Sequence, residues 1–326
     1  MRAQPQPEFA SVAFPKTARI VFVIGAQKAG TTFLHKAFGK SAEVFLPNVK
    51  ELHYFDIRRG VGKMAFAARC REVSRASEAL ATNGPSPDRC ARLRRATDLV
   101  GMQNSEPLGA TGPSRHSAYT TYLLQGWQGE PLIADVTPAY AILPARDFAD
   151  MAAFTDARFI FILRDPVSRM WSQLRMAAQV EAGIAASGEA ILALARAKAE
   201  SLIATGRLPK VERADYARTF RNLDQAVAPD RLHVMFYEEM VSSPAPIHAL
   251  SEFLGIDRID PDLSHRVNEG IPIAIPPDLD HAFREAFAPQ YAFVRERFGA
   301  RVPNAWRNVA AVTDEEPSAD TPPLTA

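Results

Sequence analysis

The chain has 326 residues, 47% of them hydrophobic and 23% charged, the balance of an ordinary folded protein and not of a wholly disordered one. A formal net charge of +1 at pH 7 provides no global field of the kind that gathers nucleic acid, so anion binding has to come from local groups. Two cysteines, Cys70 and Cys90, make no disulfide scaffold and suit a reducing compartment, with a single bridge between them left open.

Met1 to Phe9 carries Pro, Gln and Glu without a basic start and apolar stretch, so no secretory signal is read there and a cytoplasmic protein is expected. Residues 1–18 read as an N-terminal extension. Arg19–Gly25 (RIVFVIG) is a buried strand ending on glycine, and its apolar part, Ile20–Ile24, is too short to span a bilayer. A helix is predicted over Thr31–Gly39 and a weaker strand over Glu43–Leu46. Residues 58–115 hold eleven Lys/Arg against five Asp/Glu. They read as a basic insertion on the sheet's carboxyl edge and the expected acceptor region, with short helical pieces around the turn cluster Asn83-Gly84-Pro85-Ser86-Pro87.

Further strands are expected over Pro131–Val136, Arg158–Arg164 and Arg231–Tyr237. Helices are expected over Pro144–Phe154, Pro166–Val180, Asp215–Val227, Pro244–Leu254 and Pro277–Phe298. Near-continuous apolar strands alternating with helices indicate a doubly wound α/β fold: a central parallel sheet between two helical layers. The main domain is expected over 19–308, and the polar, acidic, proline-bearing tail over 309–326 is expected to be disordered.

Gly25-Ala-Gln-Lys-Ala-Gly30-Thr31-Thr32 carries the strongest chemical signal. A buried strand enters a glycine-bounded turn and a helix follows, which aims backbone N–H groups and a helix N-terminus at one point. The Gly-x4-Gly spacing fits the P-loop template, but Thr31 stands where ATP and GTP enzymes keep lysine, and the lysine, Lys28, lies inside the loop. Gln27-Lys28-Ala29-Gly30-Thr31-Thr32 resembles the 5′-phosphosulfate loop of the sulfotransferases that use 3′-phosphoadenosine-5′-phosphosulfate (PAPS). The resemblance implies a P-loop-like three-layer fold and contact of Lys28 with the 5′-phosphosulfate.

A second element follows the Arg158–Arg164 strand: Arg164-Asp165-Pro166-x-x-Arg169-x-x-Ser172. An Arg at a strand end and a Ser two turns into the next helix can converge on one anion, and a guanidinium fork matches phosphate oxygens. The block resembles the family's 3′-phosphate motif, which implies that Arg164 and Ser172 hold that phosphate. Arg169 is expected to pair with Asp165.

Sulfuryl transfer needs a proton acceptor for the nucleophile. Glu51 and His53, in Lys50-Glu51-Leu52-His53-Tyr54-Phe55, are the candidates. The run is similar to the Glu-x-His-Phe-Phe context of the heparan-sulfate-type branch, which favours Glu51 as base with His53 as support or second candidate. Asp135-Val136-Thr137-Pro138-Ala139-Tyr140 resembles the family's Thr-Pro-x-Tyr segment at the acceptor cleft, but Val136 replaces the lysine of some carbohydrate enzymes, and Asp135 is a weaker acid–base candidate. Arg266 and Gly270 fall where the family closes a loop over the nucleotide.

The reading is a PAPS-dependent sulfotransferase acting on a hydroxyl or amine of a small molecule, glycan or lipid headgroup, with no metal, nucleic acid or transmembrane segment, and with its oligomeric state undetermined. The alternatives are a P-loop kinase or NTPase, which would need Mg²⁺ and a lysine after Gly30, and a non-catalytic nucleotide-binding module.

Overall fold

The computed structural model describes residues 12–104, 115–183, 185–264 and 273–307. Its centre is a five-stranded, wholly parallel sheet: β1 (Arg19–Gly25), β2 (Val44–Phe45), β3 (Leu132–Val136), β4 (Arg158–Leu163) and β5 (Leu232–Phe236), in the order β2-β3-β1-β4-β5. The three inner strands are buried on both faces, as their unbroken apolar runs require. β1 lies between β3 and β4. The chain leaves β1 toward one side of the sheet and later crosses to the other, which opens a crevice at the strands' carboxyl ends.

Helices enclose the sheet. In chain order they are α1 (Thr31–Phe38), α2 (Tyr54–Arg58), α3 (Lys63–Asn83), α4 (Pro87–Asn104), α5 (Ser117–Leu123), α6 (Ala145–Ala152), α7 (Pro166–Ala182), α8 (Gly188–Ala204) and α9 (Tyr216–Asp224). After β5 come α10 (Tyr237–Met240), α11 (Ala245–Leu254), α12 (Pro277–Ala286), α13 (Ala288–Phe298) and α14 (Asn304–Arg307). None among the described residues is long and apolar enough to cross a membrane.

The helix expected over Pro277–Phe298 is two helices. Pro289, in the first turn of α13, has no N–H to continue the ladder, and the chain turns at Phe287. The short helical pieces expected within 58–115 are the long helices α3 and α4, packed as a hairpin around the turn at Gly84. Cys70 and Cys90, on these two helices, are free, exposed thiols and form no bridge. α8 went unread because its face is mostly alanine, which gives little contrast with its surroundings. Its N-terminus is capped by Ser187, which accepts from the Ala190 amide.

Residues 12–18 join the packed body: Phe14 is buried edge-on against Phe154 at 5.7 Å, and the Val12 amide donates to Ser117 Oγ. The whole of the expected tail, 309–326, and residues 1–11 lie outside the described residues.

Candidate functional site

The turn after β1 holds an unusual backbone. Lys28 adopts φ +69° and Gly30 φ +82°, so the loop curls left-handed before α1 begins at Thr31. Glycine at 30 meets two demands. Its φ suits a residue without Cβ, and an added Cβ would stand 2.7 Å from both Tyr237 Cδ2 and Met240 Cε. At Gly25 a Cβ would lie 2.9 Å from that of Ala141. Among the described residues no acceptor is found for the amides of Lys28, Gly30, Thr31 and Thr32. Four donors at and just before a helix N-terminus are thus left open, which is where such a terminus favours an anion. Ala29 is buried beneath them.

β4 delivers the second element onto the first. Arg164 Nη1 donates to the Lys28 carbonyl at 2.7 Å, and its guanidinium lies over the Tyr237 ring at 4.5 Å. Tyr216 Oη donates to the Arg164 carbonyl at 2.7 Å. Asp165 caps α7 through the Ser168 amide and accepts from Tyr291 Oη. The expected Arg169–Asp165 side-chain pair does not form, because Asp165 is engaged in that cap. Arg169, fully buried, instead donates to Gln173 Oε1 at 2.9 Å and to the Gln27 carbonyl at 3.4 Å. Both arginines therefore brace the turn between β1 and α1. Ser172 is buried one turn beyond Arg169.

The Lys28 side chain runs past Met176 Sδ at 3.8 Å. Burial, then the charges of Arg164 and Arg175, push its pKa below the usual lysine value, against the pull of Glu51. A cation crowded by other cations is electrostatically ready for an anionic ligand.

Glu51 and His53 arise from a strained connection. Both have positive φ, +62° and +49°, a cost that neighbouring contacts must offset. The Glu51 amide donates to the Val136 carbonyl at the carboxyl end of β3. Arg69, turned inward from α3 and 9% exposed, donates to the Leu52 carbonyl and to the Glu51 carbonyl at 3.3 Å. Gln103 of α4, with its amide oxygen toward Arg69, accepts from Nη1 at 3.1 Å and donates to the Tyr54 carbonyl at 3.3 Å. The basic hairpin thus reaches under the Glu51 loop and clamps it.

The side chains above that loop form a chain of charges. Lys50 Nζ is 2.7 Å from Glu51 Oε1, His53 Nε2 is 3.5 Å from Glu51 Oε2, and His53 Nδ1 is 2.8 Å from Asp56 Oδ2. Burial alone would raise the Glu51 pKa, but the hydrogen bonds with His53 and Lys50 outweigh it and hold the carboxyl at about 2. Burial likewise opposes protonation of His53, yet its bonds to Asp56 and Glu51 raise it to about 9. At neutral pH the pair is carboxylate and imidazolium.

Asp135 is wholly enclosed. It accepts from Tyr119 Oη at 2.7 Å, Tyr140 Oη at 2.9 Å and Thr137 Oγ1 at 2.5 Å. Tyr140 Oη accepts in turn from the Tyr54 amide at 3.1 Å. Burial pushes the Asp135 pKa up. Three hydroxyl donors and no exposed surface make it an anchor under the Thr137–Tyr140 turn, out of an acceptor's reach.

The structure therefore brings Gln27, Lys28, Ala29, Gly30, Thr31, Thr32, Arg164, Glu51 and His53 to the carboxyl ends of the sheet, with Ser172 behind them. Arg266 and Gly270 lie outside the described residues. Arg69 was not legible as a site residue, because nothing in a basic helix marks the one arginine that faces inward. Arg69→Ala is expected to cost about 1–3 kcal/mol in denaturant unfolding, since two buried carbonyls lose their donor. Arg69→Lys should restore part of that stability, and an Arg69→Ala variant of unchanged stability would show that the clamp does not hold the Glu51 loop.

A model of the sulfotransferase family matches residues 21–261. Among solved structures, the chain is similar to a sulfotransferase from Alicyclobacillus acidocaldarius, 22% identical, over 91% of this chain and 100% of that one, with a TM-score of 0.56; that likeness is one of fold. The sulfotransferase domain of the Synechococcus PCC 7002 olefin synthase is 16% identical over 87% of this chain and 98% of its own, with a TM-score of 0.43, too slight to carry an argument. No curated protein matches. With the match spanning most of the chain and the parallel sheet beneath it, the chain belongs to the sulfotransferase family.

Proposed function

We propose that this chain transfers a sulfuryl group from PAPS to a hydroxyl or amine of a small-molecule, glycan or lipid-headgroup acceptor. The observation that carries the reading is the placement of Lys28, Arg164 and Glu51. A loop of amides without acceptors among the described residues, a lysine whose pKa is lowered by burial and then by neighbouring cations, and an ionised carboxylate stand at the carboxyl ends of the strands. The residues fit a polyanionic nucleotide: Arg164 Nε and Arg169 Nε are buried without partners among the described residues, as donors awaiting an anion would be.

When bound, PAPS supplies an electrophilic sulfur whose bond to the 5′-phosphate oxygen breaks as the bond to the acceptor forms. Glu51 takes the acceptor's proton, which His53 and Lys50 orient it to do. Lys28 and the loop amides meet the negative charge that grows on the 5′-phosphate. Arg164 and Ser172 hold the 3′-phosphate, whose charge is the same before and after transfer. Arg266 and Gly270 are proposed to close over the nucleotide. The catalytic domain is taken as 19–308 and the compartment as the cytoplasm, which two free thiols suit.

Thr31 in place of the P-loop lysine disfavours the kinase reading. The test is calorimetric titration with adenosine 3′,5′-bisphosphate (PAP), with adenosine 5′-phosphate and Mg²⁺·ATP as controls. Binding that depends on the 3′-phosphate is expected; equal binding of the two adenosine phosphates, or a preference for Mg²⁺·ATP, would remove the proposal.

A further inference from the structure

Arg213 stands on the short helical turn Glu212–Ala214 ahead of α9. That turn packs on two parts of the site, the Pro138–Ile142 turn after β3 and α7. Ala214 is buried in the contact, which fixes the residue beside it. Glu212, the neighbouring carboxylate, is taken by Arg218 at 2.7 Å. Arg213 itself is half-buried, and among the described residues it has no hydrogen bond and no carboxylate within ion-pair distance.

It lies within electrostatic range of Asp56, Glu51 and Glu212 and of the buried Arg169. The other cations here have assigned roles: Lys28 and the unpartnered Nε atoms of Arg164 and Arg169 are those taken above for the nucleotide. Lys50 is bound to Glu51, Arg164 to the Lys28 carbonyl and the Tyr237 ring, and Arg169 to Gln173 and Gln27. Glu51 is held by Lys50 and His53, and Asp56 is held by His53 through Oδ2 alone, its Oδ1 being buried without a partner; neither carboxylate makes an ion pair with Arg213 among the described residues. A guanidinium partly withdrawn from water and without a direct ion pair gains when an anion arrives.

We propose that Arg213 is the acceptor-selecting residue of this enzyme: it binds an anionic group, carboxylate or sulfate, carried by the acceptor close to the hydroxyl or amine that faces Glu51. The inference rests on the reading of Glu51 as the proton acceptor, because that carboxylate fixes where the nucleophile lies. A fork of donors on the acceptor side would draw in an anionic substrate and set its reactive group toward the carboxylate. A neutral acceptor would leave Arg213 desolvated and unpaired, and so be disfavoured.

The test uses the full chain saturated with PAP and two matched pairs of probes. One is 4-hydroxyphenylacetate with its neutral amide; the other is methyl glucuronide with methyl glucoside. In calorimetric titration the anionic member of at least one pair is expected to bind about tenfold more tightly, the worth of one charge-assisted contact. Arg213→Ala should abolish that preference with PAP affinity unchanged, and Arg213→Lys should keep part of it. Equal binding within both pairs, or no binding of any probe, would overturn the proposal. So would an Arg213→Ala variant that weakens both members alike, since Arg213 would then be a positioning residue for Glu51. Failure of PAP to bind would be seen before any probe is added, and would remove the donor reading on which the rest depends.

Discussion

Glu51→Gln is expected to lower kcat by about 10²–10⁴-fold, the range for a lost general base, with PAP affinity nearly unchanged. The amide keeps the size of the carboxylate but cannot accept the proton. It also releases Lys50 and His53 from an anion 2.7 and 3.5 Å away. The pH dependence follows from the same pair. Glu51, with its pKa lowered to about 2, is ionised at every pH at which the protein is assayed, so the acid limb of activity does not belong to it in the free enzyme. His53 is raised to about 9. Its contribution to the folded loop is fully present below the ordinary histidine value near 6.5 and is lost as pH climbs through about 9. Activity should therefore fall on the alkaline side near that value, and His53→Gln should remove or move that limb. A carboxylate held at about 2 is a weak base, so Lys50 restrains Glu51 as well as orienting it. Lys50→Ala should raise the carboxyl's proton affinity. A Glu51→Gln variant with wild-type kcat on an acceptor hydroxyl would assign the base elsewhere.

Lys28→Ala is expected to reduce kcat by about 10²–10³-fold, the scale on which removing one donor from a developing oxyanion acts. Its effect on PAP affinity should be smaller. The lysine faces charge that grows during transfer, and only such interactions accelerate the step. Arg164→Ala should give the opposite pattern, weakening PAP more than it slows turnover of bound substrate. The complication is that Arg164 Nη1 also supports the Lys28 carbonyl, so the two effects are coupled. Single-turnover rates at saturating PAPS separate them. If Lys28→Ala lost only affinity and Arg164→Ala only rate, the two roles would have to be exchanged.

The parallel sheet and the glycine-bounded turn after β1 were legible because each rests on local pattern: apolar runs such as RIVFVIG, and glycines at a spacing that the backbone itself demands. Arg164 was legible for the same reason, at a strand end before a proline that opens a helix. The orientation of long side chains was not. Arg169 was assigned to Asp165 by helical spacing, but Asp165 serves its own helix end and Arg169 reaches across to Gln27. The stretch 58–115 reads as solvated basic charge, and only the tertiary packing of α3 turns Arg69 toward the Glu51 loop. Arg213 is equally anonymous in VERADY. It matters because Glu212 is already paired and because two distant segments fold beside it. Asp135, a candidate on paper, loses that role to three hydroxyls drawn from 119, 137 and 140.

Tyr237 touches both the turn after β1 and Arg164 at once. One edge of its ring leaves room at position 30 for a hydrogen and nothing larger, and its face carries the Arg164 guanidinium. On the proposal made above, the distance between the two phosphate subsites is thus a ruler cut by one aromatic ring. Positions 30, 164 and 237 are then bound to vary together among relatives: a side chain at 30 calls for a smaller residue at 237, which in turn lets the arginine drift. A nucleotide with its phosphates spaced for a different ruler would meet one subsite and miss the other.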